Sequence, residues 1–278
     1  MFSTFKSMFR RDKAETPAEK SQRRAQQSHL MLSLGGVVAL CVLVYSVPDN
    51  VALSVYRMAW VILCSIALCT FYAFGRRNRG LTFRPALLCV LSILAQMFLM
   101  HLVISFWNRS FPTMHEQVLL VLPYMLAPAV TAVLINRAVG VFVALSCTLY
   151  GAVLFPVTFP LTFVADYIVV SLLTGVIAAG ICGHLQKRQQ LLYAGFKLGS
   201  VVFVASMLLL CMHSEIQGVE EFGSTLTLQL LMAALLSLGV NFLLGVIVNG
   251  VMPMLEGVFR ISTHITWLEW ADMNHPLL

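Results

Sequence analysis

The stretch from Leu161 to Cys182, LTFVADYIVVSLLTGVIAAGIC, carries one charged residue, Asp166, and no proline. An α-helix of ~20 mostly apolar residues crosses a bilayer core. A membrane β-strand would instead alternate with period two over ~10 residues. The stretch is continuously apolar, so it reads as a transmembrane helix. Seven further runs share this character: Leu30–Val47, Val51–Phe74, Pro85–Trp107, Val118–Ile135, Val139–Phe155, Ala194–Met212 and Leu226–Val251. The whole 278-residue chain is 59% hydrophobic and only 11% charged, against ~25% charged in soluble domains. One soluble core cannot hide that much apolar surface, and disorder requires the opposite composition. The expected fold class is all-α: a polytopic membrane protein of about eight transmembrane helices. Its expected parts are a basic N-terminal segment (1–29), a helical membrane domain (30–252) and a connector (253–278).

Positive charge orients such a bundle, because cytoplasmic loops retain an excess of Lys and Arg. Lys6, Arg10, Arg11, Lys13, Lys20, Arg23 and Arg24 precede the first run, and Arg76, Arg77, Arg79 and Arg84 follow the second. Arg137, Lys187, Arg188, Lys197 and Arg260 fall on the same side if eight helices alternate. The other side has Arg109, set against Asp49, Glu116, Glu215, Glu220 and Glu221. Both termini are therefore expected in the cytoplasm. The net charge of +6 is met by anionic lipid headgroups and requires no nucleic acid. The partners expected are the lipid bilayer and a second copy of the chain.

The first run reads as a retained anchor rather than a cleaved leader, because 29 residues precede it and no A-x-A-like site follows. Met1, Phe2, Phe5, Met8 and Phe9 fall near one helical face among Lys6, Arg10 and Arg11. That pattern fits a helix lying on an anionic surface and equally a basic tail. The longest external connection expected is His213–Thr225, too short for a sensor domain. The seven cysteines lie in or beside apolar runs without C-x-x-C spacing, so they read as small packing residues. His101 and His184 lack H-x-x-x-H or H-E-x-x-H spacing, and G-x-S-x-G, Walker and G-x-G-x-x-G motifs are absent.

Ionisable groups within the bilayer are costly and therefore informative. Arg57 and Asp166 each lie a few residues past the outer start of the second and sixth runs, at a depth of roughly 8–9 Å. Equal depth and opposite sign allow an ion pair, or separate snorkelling to the outer headgroups. Ser237, Asn241, Gly245 and Asn249 repeat at spacing four, a polar packing stripe suited to close helix contact. Gly195 and Gly199, and Gly175, Ala179 and Gly183, read as further packing faces. Pro123 and Pro128 are expected to kink the fourth helix, the alternative being a broken helix around a substrate. Pro253 is expected to break or redirect the eighth.

Past the eighth run the chain reads Met252-Pro253-Met254-Leu255-Glu256-Gly257-Val258-Phe259-Arg260, and it closes on Asn274-His275-Pro276-Leu277-Leu278. Pro253, Leu255, Glu256 and Phe259, then Thr263, Leu268 and Glu269, then Asn274, His275 and Pro276, form a connector that resembles that of the seven-transmembrane HD family, the PgpH-type cyclic-di-AMP phosphodiesterases of bacteria. The resemblance covers roughly Val51 to Leu278, with weaker agreement at Pro123-Tyr124 and Pro128. It implies one anchor helix plus seven more, in a bacterial inner membrane. The family's large extracellular domain would fall between the first two runs, where only Pro48-Asp49-Asn50 stands.

The family's HD phosphohydrolase begins just after this connector, and the sequence contains no His-Asp dipeptide. No catalytic, cofactor or metal residue is therefore carried over, and His275 belongs to the connector. The resemblance implies a regulatory membrane module, itself non-catalytic, for an HD hydrolase that binds two divalent metal ions and is encoded separately or beyond this chain. The alternative is a small multi-helix transporter built around Arg57, Asp166 and the fourth helix.

Overall fold

A computed structural model describes residues 36–37, 41, 57–62, 65, 83–110, 118–155, 161–185, 189–217 and 224–259. Among the described residues there is no strand. The helices are α1 (Phe83–Ser110), α2 (Val118–Val121), α3 (Leu126–Leu134), α4 (Arg137–Val153), α5 (Leu161–Cys182), α6 (Gln189–Gln217) and α7 (Ser224–Phe259). Among the described residues, four segments are long and apolar enough to cross a membrane: Pro85–Ser110, Thr162–Cys182, Gln189–Leu209 and Leu235–Phe259. Val118–Leu134 and Arg137–Val153 are apolar but shorter. The chain is a multi-pass helical membrane protein. Most of the first two expected runs, the segment 1–29 and everything after Phe259 lie outside the described residues.

Large apolar side chains cover the outside of the bundle: Phe98 and Phe106 on α1, Val169 and Leu173 on α5, Leu208 on α6 and Leu243 on α7 are all exposed. Lipid tails solvate such faces as well as leucine would, so apolarity alone does not draw the helices together. Two buried clusters fill the interior. One contains Met97, Trp107, Leu122, Phe155, Phe163 and Tyr167. The other contains Leu88, Leu134, Cys182, Leu191, Met252 and Phe259. The clusters gather opposite ends of antiparallel neighbours and so occupy the two halves of the bundle's length.

The fourth expected helix is not kinked but broken, which corrects the expectation. In an unbroken helix the Leu119 carbonyl would accept from residue 123, and Pro123 has no N–H to give. The Tyr124 hydroxyl donates to that carbonyl instead, at 2.8 Å. The Tyr124 N–H turns back to Leu122 O at 3.0 Å. Helix α3 then starts, and the Gln96 Oε1 of α1 accepts from its Ala127 N–H at 2.8 Å. Pro128 is tolerated because it lies in the first turn of α3. Asn136, in extended conformation, starts α4 by accepting from the Ala138 N–H, the usual service of an N-cap side chain.

A second correction concerns Pro253, which does not end the last helix: α7 continues through it to Phe259. Met252, Leu255 and Phe259 recur at three and four residues, the spacing of one helix face. Met252 and Phe259 are buried in the same cluster, with Leu255 packed against it. Packing on both sides of the proline holds the helix on course, as neighbouring helices commonly do in membranes. The expected loop 213–225 is also shorter than read, because α6 reaches Gln217 and α7 begins at Ser224.

Candidate functional site

Among the described residues, two interhelical regions gather several of the buried polar side chains. The first lies between α4 and α5. Thr148 Oγ1 and Ser171 Oγ are 2.9 Å apart and both buried. Ser171 Oγ donates to Tyr167 Oη at 3.4 Å, and Tyr167 Oη donates to Cys147 O at 3.3 Å. Ser65 Oγ meets Tyr150 Oη at 2.9 Å, which ties the second apolar run to α4. No side chain stands between Tyr167 and the α4 backbone, because Gly151 is there: a Cβ at Gly151 would clash with the Tyr167 hydroxyl.

Arg57 is 7% exposed, and its Nη2 donates to the Phe155 carbonyl at 2.7 Å, just past the end of α4. The Phe155 ring packs edge-on against Phe163 and Tyr167, with centroids 5.3 and 4.9 Å away. Phe163 and Tyr167 lie one turn apart on α5, and half-buried Asp166 lies between them in sequence. The structure thus brings Arg57 and Asp166 to the same end of the bundle through Phe155.

The second region lies between α6 and α7. A Cβ at Gly195 would meet the Asn241 carbonyl oxygen at 2.7 Å, and one at Gly199 would meet Ser237 O at 2.9 Å. A Cβ at Gly245 would meet Leu191 O at 3.2 Å and the Gly195 Cα at 3.4 Å. The two backbones therefore touch along the stripe Ser237, Asn241 and Gly245. Asn241 is fully buried and spends its Nδ2 on Ser237 O of its own helix, at 2.8 Å. Asn241 Oδ1 and Asn249 Oδ1 have no hydrogen-bond partner among the described residues.

Several of these groups were invisible in the sequence. Gln96, Thr148, Ser171 and Tyr167 stand in apolar runs, and each makes at least one contact with a neighbouring helix or is linked to one that does. Arg137 and His184 are a further case: Nη1 and Nε2 lie 3.0 Å apart, joining the start of α4 to the end of α5. Of the connector residues, Leu255 and Glu256 are half-buried and Phe259 is buried, whereas Asn274, His275 and Pro276 lie outside the described residues. Cys41, Cys89, Cys147 and Cys182 are free thiols. Among the described residues no three His, Cys, Asp or Glu side chains converge to hold a metal.

A family model described as "7TM receptor with intracellular HD hydrolase" matches residues 54–263. The chain belongs to this 7TM receptor family. No curated protein and no solved structure matches it. The match takes in the second to the eighth apolar runs, seven in all, and passes Phe259 into the connector. Both polar regions therefore lie within the receptor part of the family. The chain is a membrane sensory module of the 7TM receptor family.

Proposed function

We propose that this module anchors and regulates a cytoplasmic HD phosphohydrolase acting on a cyclic dinucleotide, cyclic-di-AMP by the family resemblance, in a bacterial inner membrane with both termini cytoplasmic. The hydrolase is separately encoded or continues beyond Leu278. The two metal ions of such a domain activate a water for attack on phosphorus. The part played by this chain is mechanical.

One observation carries the reading. Helix α7 is 36 residues long and runs unbroken through Pro253. At 1.5 Å per residue that is about 54 Å, well beyond a core of about 30 Å. A continuous helix clamped by Met252 and Phe259 passes a shift or rotation within the bundle directly to the connector. The α6–α7 seam is where such a shift starts, because α7 is the helix that leads into the connector and α6 meets it through backbone contact along Gly195, Gly199 and Gly245.

The test joins an HD domain after Leu278 in proteoliposomes and measures manganese-dependent cyclic-di-AMP hydrolysis. One alanine inserted after Phe259 rotates all that follows by about 100°. The rate should change several-fold on insertion, and the chain alone should show no turnover. Equal rates for the free domain, the fusion and the insertion variant would refute coupling. The transporter reading draws on Arg57 and Asp166, but Gln96 already occupies the α3 N-terminus that a broken-helix transporter offers its substrate.

A further inference from the structure

The ends of α5 and α6 enclose a cleft of about 330 Å³ lined by Ile181, Leu185, Gln190, Tyr193, Ala194 and Lys197. We propose that this cleft seats the headgroup of an anionic phospholipid, with an acyl chain running up the outside of α6. Gln190, Tyr193 and Lys197 recur at three and four residues, so they form one stripe of α6. The stripe supplies an amide, a hydroxyl and an ammonium, all donors suited to a phosphodiester. Ile181 and Leu185 form the opposite, apolar wall, and among the described residues no carboxylate lines the cleft. Lys197 is exposed, and it makes no ion pair among the described residues.

The level of the cleft in the membrane fits a headgroup. Helix α5 ends at Cys182 and α6 starts at Gln189, so the cleft opens where the two helices emerge. Lys197 sits eight residues along α6, about 12 Å from its start, within reach of the interface by snorkelling. Tyr193, 69% exposed, is the aromatic type enriched at that boundary. The cleft's volume holds a phosphodiester with its glycerol but no acyl chain. Val204 and Leu208 lie seven and eleven residues past Lys197 on the same face, and both are exposed. They continue the stripe as an apolar track, which free phosphate could not use.

Charge complementarity selects the sign of the lipid. Lys187 and Arg188 lie in the intervening connection, and Arg76, Arg77, Arg79 and Arg84 fall on the same side of the membrane in the topology proposed above. Anionic lipids of the cytoplasmic leaflet are attracted by such clusters at about 1 kcal/mol per basic residue.

The full chain, purified in neutral detergent, would be titrated with phosphatidylglycerol, phosphatidylcholine and soluble glycerophosphoglycerol, and bound lipid counted by native mass spectrometry. Phosphatidylglycerol should bind, and the other two should not compete with it. Lys197→Gln should weaken that binding about fivefold, Lys197→Arg should restore most of it, and Tyr193→Leu should weaken it less. Unchanged melting in phosphatidylcholine shows that the variants are folded. Equal binding of both lipids, or undiminished binding by Lys197→Gln, overturns the site. Competition by the soluble headgroup as strong as by the lipid overturns the lipid assignment.

Discussion

Helices α4 and α5 meet by a different means from α6 and α7. Between α4 and α5, hydroxyls satisfy one another: Thr148 with Ser171, Ser171 with Tyr167, and Tyr167 with Cys147 O. Between α6 and α7, glycines let two backbones touch, and Asn241 turns its donor to its own helix. Both are answers to the same problem, since lipid offers helices no hydrophobic reason to associate. A network of mutual donors and acceptors is directional and fixes one register. A glycine seam is a contact of shape, made by close approach of the two backbones. The pair in backbone contact is the one whose second helix, α7, leads toward the connector.

The sharpest way to break this contrast acts on Arg57, the charge that braces the end of α4. Removing one member of a buried ion pair costs on the order of 3–5 kcal/mol, less where the survivor can snorkel. Arg57→Ala and Asp166→Ala should each lower the melting temperature in lipid nanodiscs. If the two residues pair, the double variant should lose less than the two single losses combined. Strictly additive losses would show that they do not meet, and that Arg57 acts only through the Phe155 carbonyl.

A second test sets one glycine of α7's partner against one of α7 itself. Gly195→Val should cost about 1–3 kcal/mol, because a side chain there meets backbone that cannot move aside. A Cβ at Gly250 meets nothing within 4 Å, so Gly250→Ala should be neutral or stabilise by about 0.5–1 kcal/mol through helix propensity. Equal melting temperatures for the two variants would remove the seam from the account.

The smallest effect is expected from the polar groups themselves. Thr148→Val breaks a hydrogen bond between helices, worth about 0.6 kcal/mol in membrane proteins. Asn241→Ala removes an acceptor that has no partner among the described residues and a donor bonded only within its own helix, and should move the melting temperature less. If Asn241→Ala costs more, then a ligand or water satisfies Oδ1 and the seam is tighter than described.

The apolar runs that fall within the described residues were legible because each is a local sum over ~20 residues, and the run Leu161–Cys182 coincides with α5 to the residue. The expected kink at Pro123 was too mild. Proline chemistry forecasts a lost donor, but whether the helix bends or breaks depends on what serves the freed backbone groups: the Tyr124 hydroxyl replaces the donor to Leu119 O, and Gln96 Oε1 accepts from the Ala127 N–H where the helix restarts. Pro253 was misread in the other direction, because Met252 and Phe259 find a common packing partner that no local pattern announces. The stripe Ser237, Asn241 and Gly245 was visible by its spacing. The pairing of the α4–α5 hydroxyls was not, since Thr148 and Ser171 lie 23 residues apart and no local spacing says that they meet.

Composition and charge alone determined that this protein is a helical, multi-pass membrane protein, and the connector residues placed it beside its family. Those properties follow from the transfer of each residue between water and lipid, a cost that accumulates along the chain with little regard to neighbours. Which helices touch, which hydroxyls pair, where a helix breaks and where it runs on were decided only in three dimensions. In lipid an apolar face is equally content against tails or against another helix, so hydropathy carries no signal of rotation. Shape and hydrogen-bond complementarity between distant segments choose the partner, and those exist only once the helices have met.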